Sequence, residues 1–405
     1  MSALRFGYIT GPLLGALWMF ILATTISVGM SLVTGDPFKP YLWLSFFWGA
    51  LLGYGAVQFP NARTVASGSV AVAFILLGFA GFAPIEVGET TSTFSSAFSW
   101  ILLGTISAYT TYVIMFDCAV GALTRHEFEA AVIRFLTGLG YIFFTAIVLI
   151  PFFVMVMTSL KNQSELIQNP LDFSLDLSKG SDLFRSYIEL FTDFNFGIYL
   201  WNSFYISVLT VFITLLFAVP GAYAVARLRF NGRAAFSRSI LLIYMVPMIV
   251  LALPIYIGFS MAGLRNSILG IVMIYPVTTI PVALYMLQGY FRGLPAEVEE
   301  AGLMDGLSRL KVIWKITLPL SLPAMASVSL YVFMIAWNEF LLAFMLLDDP
   351  SKFTLTRGIA SLNSSEIPRQ HLMAGSVVAT VPIMALFLGL ERFMTKGLTA
   401  GSVKG

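Results

Sequence analysis

Long apolar runs alternate with polar stretches along most of this chain. A helix needs about 20 apolar residues to cross the roughly 30 Å hydrocarbon layer of a bilayer, and ten runs approach or exceed that length. The predicted spans are residues 6–33, 41–59, 64–85, 98–120, 134–158, 201–226, 237–260, 266–290, 320–346 and 373–394. Because a helix satisfies its own backbone hydrogen bonds inside lipid, the pattern predicts an all-α integral membrane protein with about ten transmembrane helices.

The composition agrees with this pattern and excludes several other classes. Hydrophobic residues make up 58% of the chain and charged residues 11%, whereas soluble domains contain about 45–50% apolar and about 25% charged residues. Cys118 is the one cysteine, and His126 and His371 stand far apart, so no disulfide, metal centre or bound cofactor is expected. The net charge of +2, with no basic cluster interleaved with aromatic residues, argues against a nucleic-acid partner.

The distribution of basic residues predicts the orientation of the spans. The loop at 84–97 carries Glu86 and Glu89 and no lysine or arginine, whereas the short loop at 227–238 carries four arginines. Because lysine and arginine are enriched in cytoplasmic loops, the loop at 227–238 is expected on the cytoplasmic side of the membrane. With ten spans, this orientation places both termini in the cytoplasm.

The predicted spans fall into two blocks. The first four, within 1–128, are joined by short links, whereas the later spans alternate with longer polar segments such as 161–196, which is expected to form an outer surface. Two pairs of small residues in the first block would let helices approach closely. These pairs are Gly11 with Gly15, and Gly49 with Gly53.

A polar stretch between the eighth and ninth spans, residues 292–319, is predicted to form two short helices joined by a bend. Pro295 suits a first helical position, acidic residues follow it, and Gly306 suits a left-handed cap that closes the first helix. The second piece, 307–317, is basic and is expected to end at Pro319. A rigid polar helix pair between two spans is suited to binding a soluble partner, although an ordinary amphipathic loop at the membrane surface has the same pattern.

The spacing within this stretch resembles the EAA motif of ABC importer permeases. In that motif EAA is followed by three residues, G, nine residues, I, one residue, L and P. The matching residues are Glu300, Ala301, Gly302, Asp305, Gly306, Ile316, Leu318 and Pro319. The departure is Gly302 in place of the second alanine, which would loosen the helix by about 1 kcal/mol and leave its contact surface small.

Further resemblance to the maltose-type carbohydrate permeases extends over roughly 134–405. It rests on Ser159-Leu160-Lys161, Asn202-Ser203, Ala222-Tyr223-Ala224 with Arg227, Trp337-Asn338-Glu339-Phe340 and the terminal residues from Gly397 to Gly405. The resemblance implies a type I ABC importer permease core of six transmembrane helices within 129–405. The four helices of 1–128 lie outside that pattern and are expected to be an accessory region.

The resemblance also implies roles for individual residues. The stretch 292–319 would form cytoplasmic coupling helices that dock on an ATPase dimer, and the chain terminus would contact the same ATPase. The implied coupling residues are Glu300, Ala301, Gly302, Asp305, Gly306, Arg309, Ile316 and Pro319, and the implied tail contacts are Gly401, Ser402, Val403 and Lys404. Since no lysine follows a glycine, the chain lacks a Walker A phosphate loop, and ATP and Mg²⁺ are expected on the partner. We therefore expect a non-catalytic subunit.

The implied function is translocation of a sugar across a bacterial or archaeal cytoplasmic (inner) membrane by alternating access, powered by ATP hydrolysis on partner subunits. The expected partners are a second permease subunit, the ATPase dimer, a periplasmic or extracellular sugar-binding protein and membrane lipid. The alternative is an ion-gradient-driven secondary transporter or channel, which would favour repeated halves with matching broken helices and charges. Asn338 and Glu339 are the candidate intramembrane polar residues, with a structural hydrogen bond or an interfacial position as the other interpretation.

Overall fold

A computed structural model describes residues 5–88, 91–169, 172–242 and 246–399. The first α-helices are α1 (Gly7–Thr34), α2 (Leu42–Gln58), α3 (Arg63–Phe79), α4 (Thr93–Ile114), α5 (Arg125–Ser159), α6 (Gln163–Gln168) and α7 (Arg185–Thr192). They are followed by α8 (Phe196–Arg227), α9 (Arg233–Leu242), α10 (Met248–Met261), α11 (Ile268–Gly293), α12 (Ala296–Met304) and α13 (Arg309–Val312). The last are α14 (Leu318–Asn338), α15 (Leu341–Leu346), α16 (Leu355–Leu362) and α17 (Arg369–Thr399). Two short strands, β1 (Phe38–Pro40) and β2 (Ile85–Val87), pair antiparallel.

Long apolar helices confirm the predicted fold class. Within the described residues, seven helices are long and apolar enough to cross a membrane, and they are α1, α4, α5, α8, α11, α17 and the continuous helix Arg309–Asn338 that includes α13 and α14. The helices α2 and α3 have 17 residues each, and α10 has 14. The protein is therefore an all-α membrane protein, whereas the number of ten transmembrane helices stays a prediction.

Two predicted spans and one predicted helix end differ from the structure. The span at 237–260 is divided between α9 and α10, and the span at 320–346 is divided where Glu339 takes an extended backbone conformation between α14 and α15. The prediction that the second coupling piece ends at Pro319 is wrong. A π-helical turn, Ile313–Thr317, leads directly into α14, and Pro319 lies in the first turn of that helix, where proline is tolerated.

Glycines hold α1 against α2, as the sequence predicted. A Cβ atom built on Gly15 would lie 2.3 Å from the carbonyl oxygen of Gly49, and one built on Gly11 would lie 2.7 Å from that of Gly53. These distances are shorter than any normal contact, so the two backbones touch only because none of these residues carries a side chain.

Packing divides the described chain into two compact units, 1–183 and 184–405. The helix α5 belongs to the first unit, where the Trp18 indole donates to Thr110 at 2.7 Å and packs edge-on against Phe135. The boundary near residue 128 was predicted from the short links between the first four spans and from the extent of the family resemblance, and it stays a prediction.

In the second unit, α8, α11 and α14 pack together around two groups of buried apolar side chains. The hydroxyls of Thr214 on α8 and Thr279 on α11 lie 2.6 Å apart and are fully buried. Each hydroxyl thereby finds a polar partner inside an apolar region, where an unpaired one would be costly.

Candidate functional site

The loop that closes α12 has the geometry that the sequence predicted. Gly306 has a φ of +83°, in the left-handed region that favours glycine. The amide of Leu307 donates to the carbonyl of Gly302 at 3.1 Å, and the amide of Gly306 donates to that of Leu303 at 3.1 Å. This pair of bonds is a Schellman motif, which satisfies two carbonyls at the end of the helix and fixes the direction of the chain that follows.

The inner face of α12 packs on the chain that leads into α14. Gly302 is buried, and a Cβ atom built on it would lie 2.6 Å from Ile316 Cδ1 and 3.3 Å from Val312 Cγ2. The glycine that departs from the family motif therefore allows α12 to lie close against the π-helical turn. The sequence predicted a lower helix propensity and a small contact surface at Gly302, and it did not predict this close packing.

Glu299, on the same face one turn earlier, is 7% exposed. Its Oε1 lies 3.3 Å from Arg227 Nε at the end of α8 and accepts from the Thr317 hydroxyl at 3.1 Å, and its Oε2 accepts from the Tyr223 hydroxyl at 3.2 Å. Arg227 also donates to the carbonyl of Leu294 at 2.7 Å. One carboxylate thus links α12 to α8 and to the turn before α14.

The outer face of the same segment is exposed. Glu300, Ala301, Asp305 and Arg309 are all exposed, and Ile316 is half-buried. Met304 is 87% exposed and Leu310 is 71% exposed. The segment therefore exposes charged side chains and large apolar side chains together.

A family model described as "Binding-protein-dependent transport system inner membrane component" matches residues 218–398, which include this segment. The inner membrane ABC transporter permease protein YcjP of Escherichia coli strain K12 is 38% identical over 270 residues, which are 66% of this chain and 95% of that relative. This chain belongs to that permease family.

Two further comparisons agree with the assignment. The permease is 33% identical to the trehalose/maltose transport system permease protein MalG of Thermococcus litoralis over 281 residues, 68% of this chain and 99% of the relative. It also resembles the structure of a bacterial ABC transporter involved in the import of the acidic polysaccharide alginate. That likeness has a TM-score of 0.56 at 24% identity and covers 66% of this chain and 98% of the other. The fold is therefore that of an ABC importer permease, and the protein is a multi-pass inner-membrane subunit.

The candidate intramembrane polar residues of the permease have local structural partners. Asn338 is exposed and donates from Nδ2 to the carbonyl of Met334 at 2.9 Å. The carboxylate of Glu339 accepts from the amides of Leu342 at 2.8 Å and Ala343 at 3.2 Å, which caps α15. These contacts favour the structural interpretation of both side chains.

Another pair from the family resemblance anchors the loop that precedes α16. Asn202 Nδ2 donates to the carbonyls of Ser351 at 3.1 Å and Phe353 at 3.0 Å, and the hydroxyl of Ser203 accepts from the amide of Leu355 at 2.6 Å. The tail residues Gly401 to Lys404 lie outside the described residues.

Sequence reasoning named Glu300 as a coupling residue and missed its neighbour Glu299. The available signal was the helical spacing of Glu299 and Gly302, three residues apart and therefore on one face, opposite the exposed Glu300 and Ala301. Arg227 and Tyr223 were already part of the family resemblance, but the sequence did not show that they meet Glu299 and Thr317 in one polar cluster.

Proposed function

We propose that the permease translocates a sugar by alternating access, with α12 and the turn after it acting as the coupling element for an ATPase partner. The observation that carries the proposal is Glu299, whose carboxylate bonds both to α8 and to the turn that begins α14. A partner that pulls or tilts α12 acts on two spanning helices at once. The exposed Met304 and Leu310 supply an apolar contact for such a partner.

The proposed partners follow from the family. They are a cytoplasmic ATPase dimer, a second permease subunit and a periplasmic or extracellular sugar-binding protein. In this arrangement ATP and Mg²⁺ belong to the ATPase, and the permease contributes no catalytic residue. The arginine-rich loop between α8 and α9 would face the cytoplasm by the positive-inside rule, together with α12 and both termini.

The substrate class is supported by the relatives. One relative is named for trehalose and maltose, and the structural neighbour takes part in alginate import. We therefore expect a di- or oligosaccharide, while monosaccharides and polyols belong in the panel that is tested. Ligand-loaded binding protein on one side and ATPase closure on the other would each favour one of the two states of the permease.

The proposal is tested by uptake in proteoliposomes that contain the permease with the second permease, ATPase and binding protein of its transport system. Labelled trehalose, maltose, a longer oligosaccharide and a polyol are supplied outside, with ATP inside. Uptake of one sugar should require ATP and binding protein and should survive a protonophore. Uptake that needs an ion gradient and continues without ATP would instead support the secondary transporter.

A further inference from the structure

An open cavity of about 650 Å³ lies where the loop between α8 and α9 meets the end of α11. Of its eight lining residues, three are arginines, Arg233, Arg238 and Arg292, and none is acidic. Asn231 and Ser237 add neutral polar groups. The lining is therefore a concentrated positive charge without a counterion among its own residues, which is the environment that attracts an anion.

The three arginines differ in what else they bind. Arg233 donates from Nε to the carbonyl of Val225 at 2.6 Å and from a terminal nitrogen to that of Ala226 at 3.0 Å, so it secures the end of α8. With the Gln288 amide oxygen turned toward it, the Arg292 guanidinium donates to that oxygen at 2.7 and 3.2 Å. Arg238 has no hydrogen bond or ion pair among the described residues and is exposed.

A helix end reinforces the positive charge. The helix α9 begins at Arg233, at the cavity, and has ten residues, so the positive end of its macrodipole lies at the same place. Phe230 and Phe236 are exposed beside the arginines. Arginine guanidinium groups bind phosphate oxygens in a bidentate manner, and basic residues beside a transmembrane helix attract anionic headgroups.

We propose that this cavity binds a phosphate group, with Arg238 and Arg292 as its principal donors. The phosphate could belong to the headgroup of an anionic phospholipid in the adjoining leaflet, as in other basic pockets beside transmembrane helices, or to free inorganic phosphate. Arg233 positions the loop through its bonds to α8 and is not expected to act mainly as a ligand. The site lies outside α12 and the turn that follows it, and it is independent of which sugar is transported.

The experiment uses the full permease in its assembled transporter, in nanodiscs of phosphatidylcholine alone or of phosphatidylcholine with phosphatidylglycerol. Native mass spectrometry counts the phosphatidylglycerol retained after detergent extraction, and a thermal-shift assay in phosphatidylcholine nanodiscs measures protection by inorganic phosphate. Arg238→Gln should weaken retention or protection about tenfold or more, because it removes a charge-assisted hydrogen bond. Arg292→Gln is the second variant. Arg229→Gln is the control, since Arg229 is exposed in the same loop and does not line the cavity.

If Arg238→Gln loses the retained phosphatidylglycerol and Arg229→Gln keeps it, the site is supported and the phosphate group belongs to a lipid. If inorganic phosphate protects the parent and Arg229→Gln but not Arg238→Gln, the site is supported and its ligand is free phosphate. Equal behaviour of Arg238→Gln and Arg229→Gln, or no binding of either ligand by the parent protein, would overturn the proposal. Because no sugar or ATP is present, these results do not depend on the transport function proposed above.

Discussion

Glu299 of α12 and Arg227 of α8 form an ion pair across 72 residues of sequence, with both side chains largely buried. Removing one member of a buried pair leaves the other charge without a partner and costs about 3–5 kcal/mol. Glu299→Gln should therefore lower the melting temperature of the assembled transporter and abolish the stimulation of ATP hydrolysis by sugar-loaded binding protein.

The matched control for this variant is Glu297→Gln, which removes the same charge from an exposed position on the same helix. It should keep parental stability and parental ATPase stimulation. Arg227→Gln should reproduce the defect of Glu299→Gln from the other side of the pair. If Glu299→Gln couples as well as Glu297→Gln does, the carboxylate is not the link between α12 and α8.

Gly306 offers a test of the backbone alone. A Cβ atom built there meets nothing within 4 Å, so a substitution is opposed only by the positive φ of +83°. A β-branched residue in that conformation costs about 1–3 kcal/mol, whereas asparagine tolerates it far better. Gly306→Val should reduce ATPase stimulation and sugar uptake while Gly306→Asn retains most of both. Equal, parental activity of the two variants would mean that this turn does not set the position of the coupling element.

Gly302 tests the packing beneath α12. Gly302→Ala gains about 1 kcal/mol of helix propensity but brings its Cβ atom to 2.6 Å from Ile316 Cδ1. The end of the Ile316 side chain has to move, so the single variant should be close to neutral in melting temperature. Adding Ile316→Val removes that methyl group, and the double variant should be more stable than Ile316→Val alone. A double variant less stable than Ile316→Val would contradict the packing described here.

These examples show what the sequence could and could not predict. The bend at Gly306 was predictable because a left-handed cap requires a residue type that the sequence displays. The close contact of Gly302 and the burial of Glu299 depend on where α8 and the π-helical turn lie, which no local pattern encodes. The prediction at Pro319 was wrong because proline breaks a helix in its interior, whereas a proline in the first turn of a helix is tolerated. The length of the apolar runs located the long helices. It did not show the break at Glu339, where the glutamate carboxylate caps α15.

Glu189 of α7 is expected to make the stability of the protein depend on pH. Its carboxylate accepts from Arg185 at 2.7 Å and lies 2.8 Å from Nε2 of the buried His371. The hydrogen bond from Arg185, followed by that from His371, lowers the pKa of Glu189. The pKa of a glutamate in the unfolded chain is about 4.3. Because folding lowers the pKa of Glu189, its carboxylate stabilises the folded protein fully above that pH. This stabilisation is lost as the pH falls through the lower pKa of the folded state.

The melting temperature of the parent protein should therefore fall more steeply between about pH 5 and pH 3 than that of Glu189→Gln. Glu366→Gln, at an exposed glutamate before α17, should keep the steep parental dependence. Identical slopes for the parent and Glu189→Gln would show that this cluster makes no pH-dependent contribution.

We propose that the four long helices that precede α5 are accessory to translocation. Deleting residues 2–123 keeps Thr124, whose hydroxyl accepts from the Glu127 amide at 3.3 Å while its own amide donates to the Glu127 carboxylate at 2.8 Å. The start of α5 thus retains its capping box. The surface uncovered on α5 includes Phe135 and Gly138, which pack on Trp18 in the full chain and are compatible with lipid.

The truncated permease should insert, assemble with its partners and support ATP-dependent sugar uptake when its amount in the membrane is matched to that of the full chain. Trp18→Ala in the full chain is the companion variant. It removes the indole that packs on α5 and should destabilise the first compact unit by about 3–5 kcal/mol without changing the uptake rate per assembled complex. Loss of uptake in a truncated protein that is correctly inserted and assembled would show that α1 to α4 take part in translocation, and a loss in Trp18→Ala as well would place that role at their contact with α5.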